Sequence, residues 1–213
     1  SGMDAPAKRI EQHRNVINAA RTAGVRKLVY TSIFGEPCKG AFDPVIEANR
    51  QTEQDIMDSG LDWSIGRNGL YLEADLEYLD HYFKDGKISN CAGEGRCAYT
   101  TRDELARAYL EMITRDELNG SVFNLVGEAL TQQELVDAIN LAYGSDLKFK
   151  SMGIEDFRRD RIAAHGEVFG TIIAGIYEGI RNGAFDVKSD FASVTGRDHM
   201  SVVELINWFR LNH

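Results

Sequence analysis

Two short stretches of this 213-residue chain put polar side chains where strand ends meet a loop. Thr31 and Ser32 close the apolar run Lys27-Leu28-Val29-Tyr30, and Arg67-Asn68-Gly69-Leu70-Tyr71 leaves the run Leu61-Asp62-Trp63-Ser64-Ile65. If the two runs are neighbouring parallel strands, these residues share one crevice with the start of a helix near Val45. Open α/β sheets take their ligands at that edge, outside the carboxyl ends of the strands. Hydroxyls, an amide and a glycine that lets backbone come close suit recognition of a planar amide and a ribose. The same residues also suit plain turn chemistry, since Asn-Gly is a strong turn signal by itself.

Other chemistries find less support. G-x-S-x-G, H-E-x-x-H, Walker A and G-x-G-x-x-G motifs are all missing. Cys91 and Cys97 are not a CxxC pair and have no histidine nearby, so they read as two partly buried thiols and not as a zinc site. His13 falls on a mainly apolar helical face and reads as a packed, hydrogen-bonded side chain. Asp103-Glu104 sits in a first helical turn, where the helix dipole accounts for it. Gly93-x-Gly95 holds only two members of a dinucleotide fingerprint, and Gly175 and Gly179 read as small residues permitting close helix packing.

The elements that must position these groups alternate. A helix is expected over about 7–23, with Ile10, His13, Val16, Ile17 and Ala20 on one face and Gly24 at its end. The strand over 27–32 follows, then a loop from Phe34 to Pro44, a helix over about 45–59 stopped by Gly60, and the strand over 61–65 with Arg67-Asn68-Gly69 as its sharp exit. Strand, helix and strand joined by short links form a βαβ crossover and hence a parallel sheet. Leu72, Leu76, Leu79 and Phe83 suit one helix closed by Asp85-Gly86. Thr101 with Glu104, and Thr131 with Glu134, have capping-box spacing. Ser121 to Val126 reads as a strand, Lys148-Phe149-Lys150 as an edge strand, and the chain beyond Ile154 as mainly helical.

Composition limits what such a fold does. With 33 acidic and 24 basic side chains the net charge of −9 argues against a nucleic-acid backbone as partner. No apolar run approaches the ~18 residues of a membrane span. Three cysteines suit reduced thiols in a cytoplasmic setting better than a disulfide framework.

Longer strings of residues carry a resemblance. Gln12-His13-Arg14-Asn15-Val16-Ile17-Asn18-Ala19-Ala20, Ala23-Gly24-Val25 and Val29-Tyr30-Thr31-Ser32 come first. Thr52-Glu53, Asp58-Ser59-Gly60-Leu61 and Arg67-Asn68-Gly69-Leu70-Tyr71 follow. Then come Ala92-Gly93-Glu94-Gly95, Thr101-Arg102-Asp103-Glu104-Leu105-Ala106 and Val122-Phe123-Asn124-Leu125-Val126-Gly127, with Ile176-Tyr177 to Gly183 and Thr195-Gly196-Arg197 near the end. In this order they resemble the NmrA-like branch of the atypical short-chain dehydrogenases/reductases over nearly the whole chain, and within it the bacterial quinone and triphenylmethane reductases. The resemblance implies a Rossmann-like domain that binds NADPH, or NAD, over 1–126, with a substrate-part insertion around 72–100. A mainly helical substrate-binding part then covers 127–213.

Two departures come with it. Ser1-Gly2 falls at the exit of the family's fourth strand, so the family's opening glycine-rich segment has no counterpart here, and a truncated dinucleotide site is expected. Such a sheet would expose Leu28, Val29 and Tyr30 and favour a homodimer or pairing with the missing segment. Val45 and Asn49 stand where the register places the tyrosine and lysine of Tyr-x-x-x-Lys, and a valine cannot transfer a proton. The expected function is hydride transfer from NADPH directly to a quinone or similar conjugated acceptor. Asn49 and Tyr71 are its expected catalytic residues, the helix over 73–84 is expected to form part of the substrate wall, and no metal is involved. Ser1, Gly2, Thr31, Ser32, Asn49, Asn68, Gly69, Leu70 and Tyr71 are expected to hold the cofactor. The rivals are a redox sensor that binds dinucleotide without turnover, and a chain that binds none.

Overall fold

In the computed structural model, which describes residues 5–212, α1 (Pro6–Thr22) opens with a proline in its first turn, where a missing N–H costs nothing. Gly24 follows it at φ +68°, a conformation open to glycine because it lacks a Cβ. Ile17 is its buried residue, whereas Val16 is 63% exposed and does not join the inward face expected of it. The strands β1 (Lys27–Ile33), β2 (Asp62–Asn68) and β6 (Ser121–Leu125) form a parallel sheet with β2 in the centre. The crossover from β1 to β2 is α2 (Asp43–Met57). β2 runs through Arg67 and Asn68, so these are strand residues and not the sharp exit expected of them. Their registers are Ser32 opposite Arg67 and Ile33 opposite Asn68, with Asn68 opposite Leu125 on the other side.

Strand alternation divides this sheet into two covered faces. Leu28, Tyr30 and Ile65 cluster with Ile17 of α1 and Ile56 of α2, while Val29, Phe123 and Leu125 cluster with Leu105 and Tyr109 of α5 (Arg102–Thr114). Leu28, Val29 and Tyr30 are therefore half-buried. Among the described strands β1 pairs only with β2.

After β2 come β3 (Leu70–Tyr71), α3 (Glu73–Leu76), α4 (Leu79–Asp85), β4 (Lys87–Asn90) and β5 (Arg96–Thr100). The single helix expected over Leu72 to Phe83 is thus two, broken at Glu77-Tyr78, and Phe83 is 36% exposed. β5 pairs in parallel with β3 and antiparallel with β7 (Ala129–Thr131). α6 (Gln132–Tyr143) starts in a complete capping box between Thr131 and Glu134. At α5 Thr101 accepts from the Glu104 backbone N–H, but the Glu104 carboxylate turns instead to Arg197 and the Met200 N–H. Beyond its place in a first turn, then, Glu104 is a buried ion-pair member.

β8 (Lys148–Ser151) pairs in parallel with β4. The remaining helices are α7 (Ile154–His165), α8 (Glu167–Arg181), α9 (Phe191–Thr195) and α10 (Val202–Asn212). Gly175 and Gly179 let α8 approach its neighbours: a Cβ would meet the Phe42 backbone nitrogen at 2.8 Å and the Phe185 ring at 2.6 Å. Gly95 lies closer still under the Ile180 carbonyl, which explains that glycine by packing. Cys91 and Cys97 are completely buried, more than the partial burial expected. No helix of the described residues is long and apolar enough to cross a membrane.

Candidate functional site

The carboxyl edge of the parallel sheet carries Asn68 on the face covered by α5. Asn68 is buried at the end of the central strand, and two tyrosines fix its amide. The Tyr109 hydroxyl donates to Asn68 Oδ1 at 2.5 Å, and Asn68 Nδ2 donates to the Tyr71 hydroxyl at 3.0 Å. Tyr109 reaches this position because the strand has a glycine beneath it: a Cβ on Gly66 would lie 2.5 Å from the Tyr109 hydroxyl. Burial pushes the Tyr109 phenol far above its ordinary range, so it remains a donor. Tyr71 is 37% exposed, with the Arg102 guanidinium 5.8 Å from its ring centre. The hydrogen bonds Tyr109→Asn68→Tyr71 therefore run from the interior to the surface. They end on a hydroxyl whose own proton has no partner among the described residues.

Gly69 and Leu70 place that hydroxyl. Gly69 passes so close to Ala98 and Val126 that a Cβ would sit 2.8 Å from the Ala98 carbonyl oxygen and 2.9 Å from Val126 Cγ1. The close approach this glycine permits is thus to its own chain. Leu70 pairs with Tyr99 in the β3–β5 ladder and packs against the main core, which directs Tyr71 outward.

On the opposite face, covered by α2, the same edge is ionic. Ser32 donates to Glu53 Oε1 at 2.6 Å, and Glu53 also receives Arg50 Nη1 at 2.8 Å and Arg67 Nη2 at 2.7 Å. Arg50 additionally donates to the carbonyls of Ile33 at 2.9 Å and Gly35 at 2.5 Å, tying the loop after β1 to α2. Burial raises the Glu53 pKa, but the Arg67 and Ser32 hydrogen bonds and the two positive charges outweigh it and hold the carboxyl below the usual range. Asn49 is also buried, accepting from the Tyr30 hydroxyl at 2.8 Å and donating to the Val45 carbonyl at 2.8 Å. That burial sets Asn49 apart from a solvated polar residue of an exposed helix face.

The structure therefore brings Asn68, Gly69, Leu70 and Tyr71 together and puts Ser32 and Asn49 on the other side of the sheet. Thr31 stands exposed on β1 between Tyr30 and Ser32. Ser1 and Gly2 lie outside the described residues. Sequence reasoning missed Tyr109, Arg50 and the role of Glu53. A signal for Tyr109 was available in Gly66, since a glycine inside a strand often marks the close approach of another group. The spacing of Arg50 and Glu53, one helical turn apart, signalled an ion pair but not its burial. His13 is packed as expected, with Nδ1 2.8 Å from Thr52 Oγ1.

With this geometry in hand, comparison with known proteins places the chain. The profile of the NAD(P)H-binding family matches residues 1–116. Quinone oxidoreductase 2 of Escherichia coli (strain K12) is 33% identical over 153 residues, which are 70% of this chain and 52% of that protein. An NmrA-like family domain-containing oxidoreductase of Aspergillus flavus is 29% identical over 195 residues, 88% of this chain and 63% of that protein. The chain thus spans between half and two thirds of the length of these relatives. The structure of Citrobacter sp. triphenylmethane reductase complexed with NADP(H) aligns with a TM-score of 0.81 and 27% identity, covering 93% of this chain and 70% of that one.

Proposed function

This chain belongs to the NAD(P)H-binding, NmrA-like family, and we propose that it works in an oxidoreductase that passes hydride from NADPH directly to a quinone or similar conjugated acceptor. Residues 1–126 then form the dinucleotide part and 127–213 the mainly helical substrate part. The observation that carries the reading is the relay of Tyr109, Asn68 and Tyr71 ending at the sheet edge. The residues present suit the nicotinamide half of a dinucleotide. Tyr71 offers an O–H, Asn68 has a second amide hydrogen uncommitted, and the exposed Thr31 hydroxyl suits a carboxamide or ribose.

Bound there, the cofactor supplies the hydride, and the chain supplies position and hydrogen bonding. Tyr71 donates its proton toward the acceptor oxygen on which negative charge develops, and a donor already oriented at that point lowers the barrier. Asn68 and Tyr109 are positioning residues, since they fix the Tyr71 hydroxyl from behind. Asn49 holds β1 to α2 through Tyr30 and so sets the edge on which Thr31 stands. Val45 occupies the proton-donor position of Tyr-x-x-x-Lys without a titratable group, which leaves Tyr71 as the donor. The helices α3 and α4, directly after Tyr71, form one wall for the acceptor.

The test is NADPH consumption by the chain with a panel of soluble quinones. Turnover is expected, and Tyr71→Phe, which keeps the ring and removes the proton, is expected to lower kcat by about 10-fold or more with little change in NADPH affinity. Thermal protection by NADPH with no quinone reduced would replace this reading by a dinucleotide-binding sensor. No thermal protection would mean that the chain does not hold the dinucleotide, because a ligand that prefers the native state stabilises it.

A further inference from the structure

A cleft of about 450 Å³ opens between α7–α8 and the helices α3–α4 proposed above as a wall for the acceptor, and none of the residues assigned to the nicotinamide lines it. Asp75 of α3 lines it, at 4% exposure. Among the described residues its carboxylate forms no ion pair, and its one side-chain hydrogen bond comes from the Tyr82 hydroxyl at 2.9 Å. Ser89 of β4 lines the same cleft, with Oγ buried and without a hydrogen-bond partner among the described residues. Burying a polar group without a partner costs stability, and a buried carboxylate without a cation costs more. Two such groups facing one cleft mark it as built for something that completes them. Burial accordingly lifts the Asp75 carboxyl to about 6 against the opposing pull of Tyr82.

Aromatic rings supply the walls. Tyr82, Phe157 and Tyr177 line the cleft, with Phe157 and Tyr177 meeting edge to face at 5.2 Å. Such surfaces accept a flat ring. The charges are balanced: Lys87, Lys150 and Arg161 stand against Asp75, Asp85 and Asp160, three against three. A neutral ligand keeps that balance, and a cation would upset it.

We infer that this cleft binds a neutral aromatic molecule carrying a hydroxyl donor, a phenol in the broad sense. Asp75 accepts its O–H, Ser89 meets a second polar edge, and the ring lies against Tyr82, Phe157 and Tyr177. The inference goes beyond the reductase reading and does not rest on it, because neither dinucleotide nor turnover is needed for binding.

The experiment measures binding to the full chain without dinucleotide, using three fluorescent probes: naphthol, its methyl ether, and naphthylmethylammonium. Naphthol is expected to bind at least about 10-fold tighter than the ether, the factor given by one hydrogen bond to a charged group. Asp75→Leu and the near-isosteric Asp75→Asn are both expected to shrink that preference, and Ser89→Ala to weaken naphthol. Equal affinity for naphthol and its ether, tighter binding of the ammonium, or no binding of naphthol would each overturn the inference. These comparisons use the native chain alone, so a variant that fails to fold does not leave the question open.

Discussion

On the α2 face of the parallel sheet, the carboxyl edge is held by ionised groups: Glu53 receives Ser32, Arg50 and Arg67. On the α5 face of the same edge, Tyr109, Asn68 and Tyr71 are neutral and linked in series. The carboxylate of the charged cluster is saturated, because both oxygens of Glu53 are taken, and Arg50 also holds two backbone carbonyls. The neutral series is open, because its last hydroxyl stands at the surface with a proton to give. One face thus fixes where the strand ends are, and the other offers a donor at that fixed place. A charge in the second role would need its own counter-ion. A phenol held by an amide needs none.

The comparison is most easily broken at Glu53. Glu53→Ala leaves two poorly exposed guanidiniums without their carboxylate, and a loss of about 3–5 kcal/mol in denaturant unfolding is expected. A loss below about 1 kcal/mol would mean that the ionic face does not pin the edge. The sign with pH follows from a carboxyl held below its ordinary value. The stability it contributes is present above the unfolded-state pKa and is lost as pH falls through the folded one, so Glu53→Gln should flatten the acid limb of the stability profile.

Asp75 sharpens the contrast from the opposite direction, as a buried carboxyl with no cation. Its folded value of about 6 lies above the ordinary 3.8, so its stability contribution is complete below 3.8 and is lost as pH rises through 6. Asp75→Asn is therefore expected to stabilise the chain at alkaline pH, by on the order of 1–3 kcal/mol, and to give no such gain in acid. Thermal unfolding of both proteins across the pH range measures this. A variant less stable than the native chain at alkaline pH would contradict it.

Effects on the neutral face are smaller. Tyr109→Phe removes the donor to the buried Asn68 oxygen and is expected to cost about 1–2 kcal/mol, with reduced quinone turnover because Asn68 no longer holds Tyr71. Tyr71→Phe is expected to change stability by less than about 0.5 kcal/mol, since its hydroxyl is at the surface. If Tyr71→Phe destabilised the fold more than Tyr109→Phe, the series would be a structural brace and not a donor.

Much of the scaffold was legible from local patterns. Gly24, Gly60 and Gly86 stop helices, Thr131 with Glu134 starts one, and the runs at Lys27 and Leu61 are neighbouring parallel strands. Legibility failed where a local pattern meets its surroundings. Phe83 has helical spacing with Leu79 and Leu76, but the helix breaks at Glu77-Tyr78 and leaves Phe83 half in solvent. Asn68-Gly69 reads as a turn, yet Asn68 is the last residue of a strand, and Gly69 is there because Ala98 and Val126 leave no room for a side chain.

The α/β class and most of the order of the elements follow from the sequence alone, as does the choice of strand ends at which the proposed ligand lies. Periodicity, caps and turn residues are properties of a few neighbouring positions. Only the tertiary structure decided which of the polar residues face one another. Ser32 and Asn68 both lie at the carboxyl ends of strands of one sheet, but Ser32 registers with Arg67 and Asn68 with Ile33. That one-residue offset turns them to opposite faces, one toward the charges of α2 and the other toward the phenol of α5.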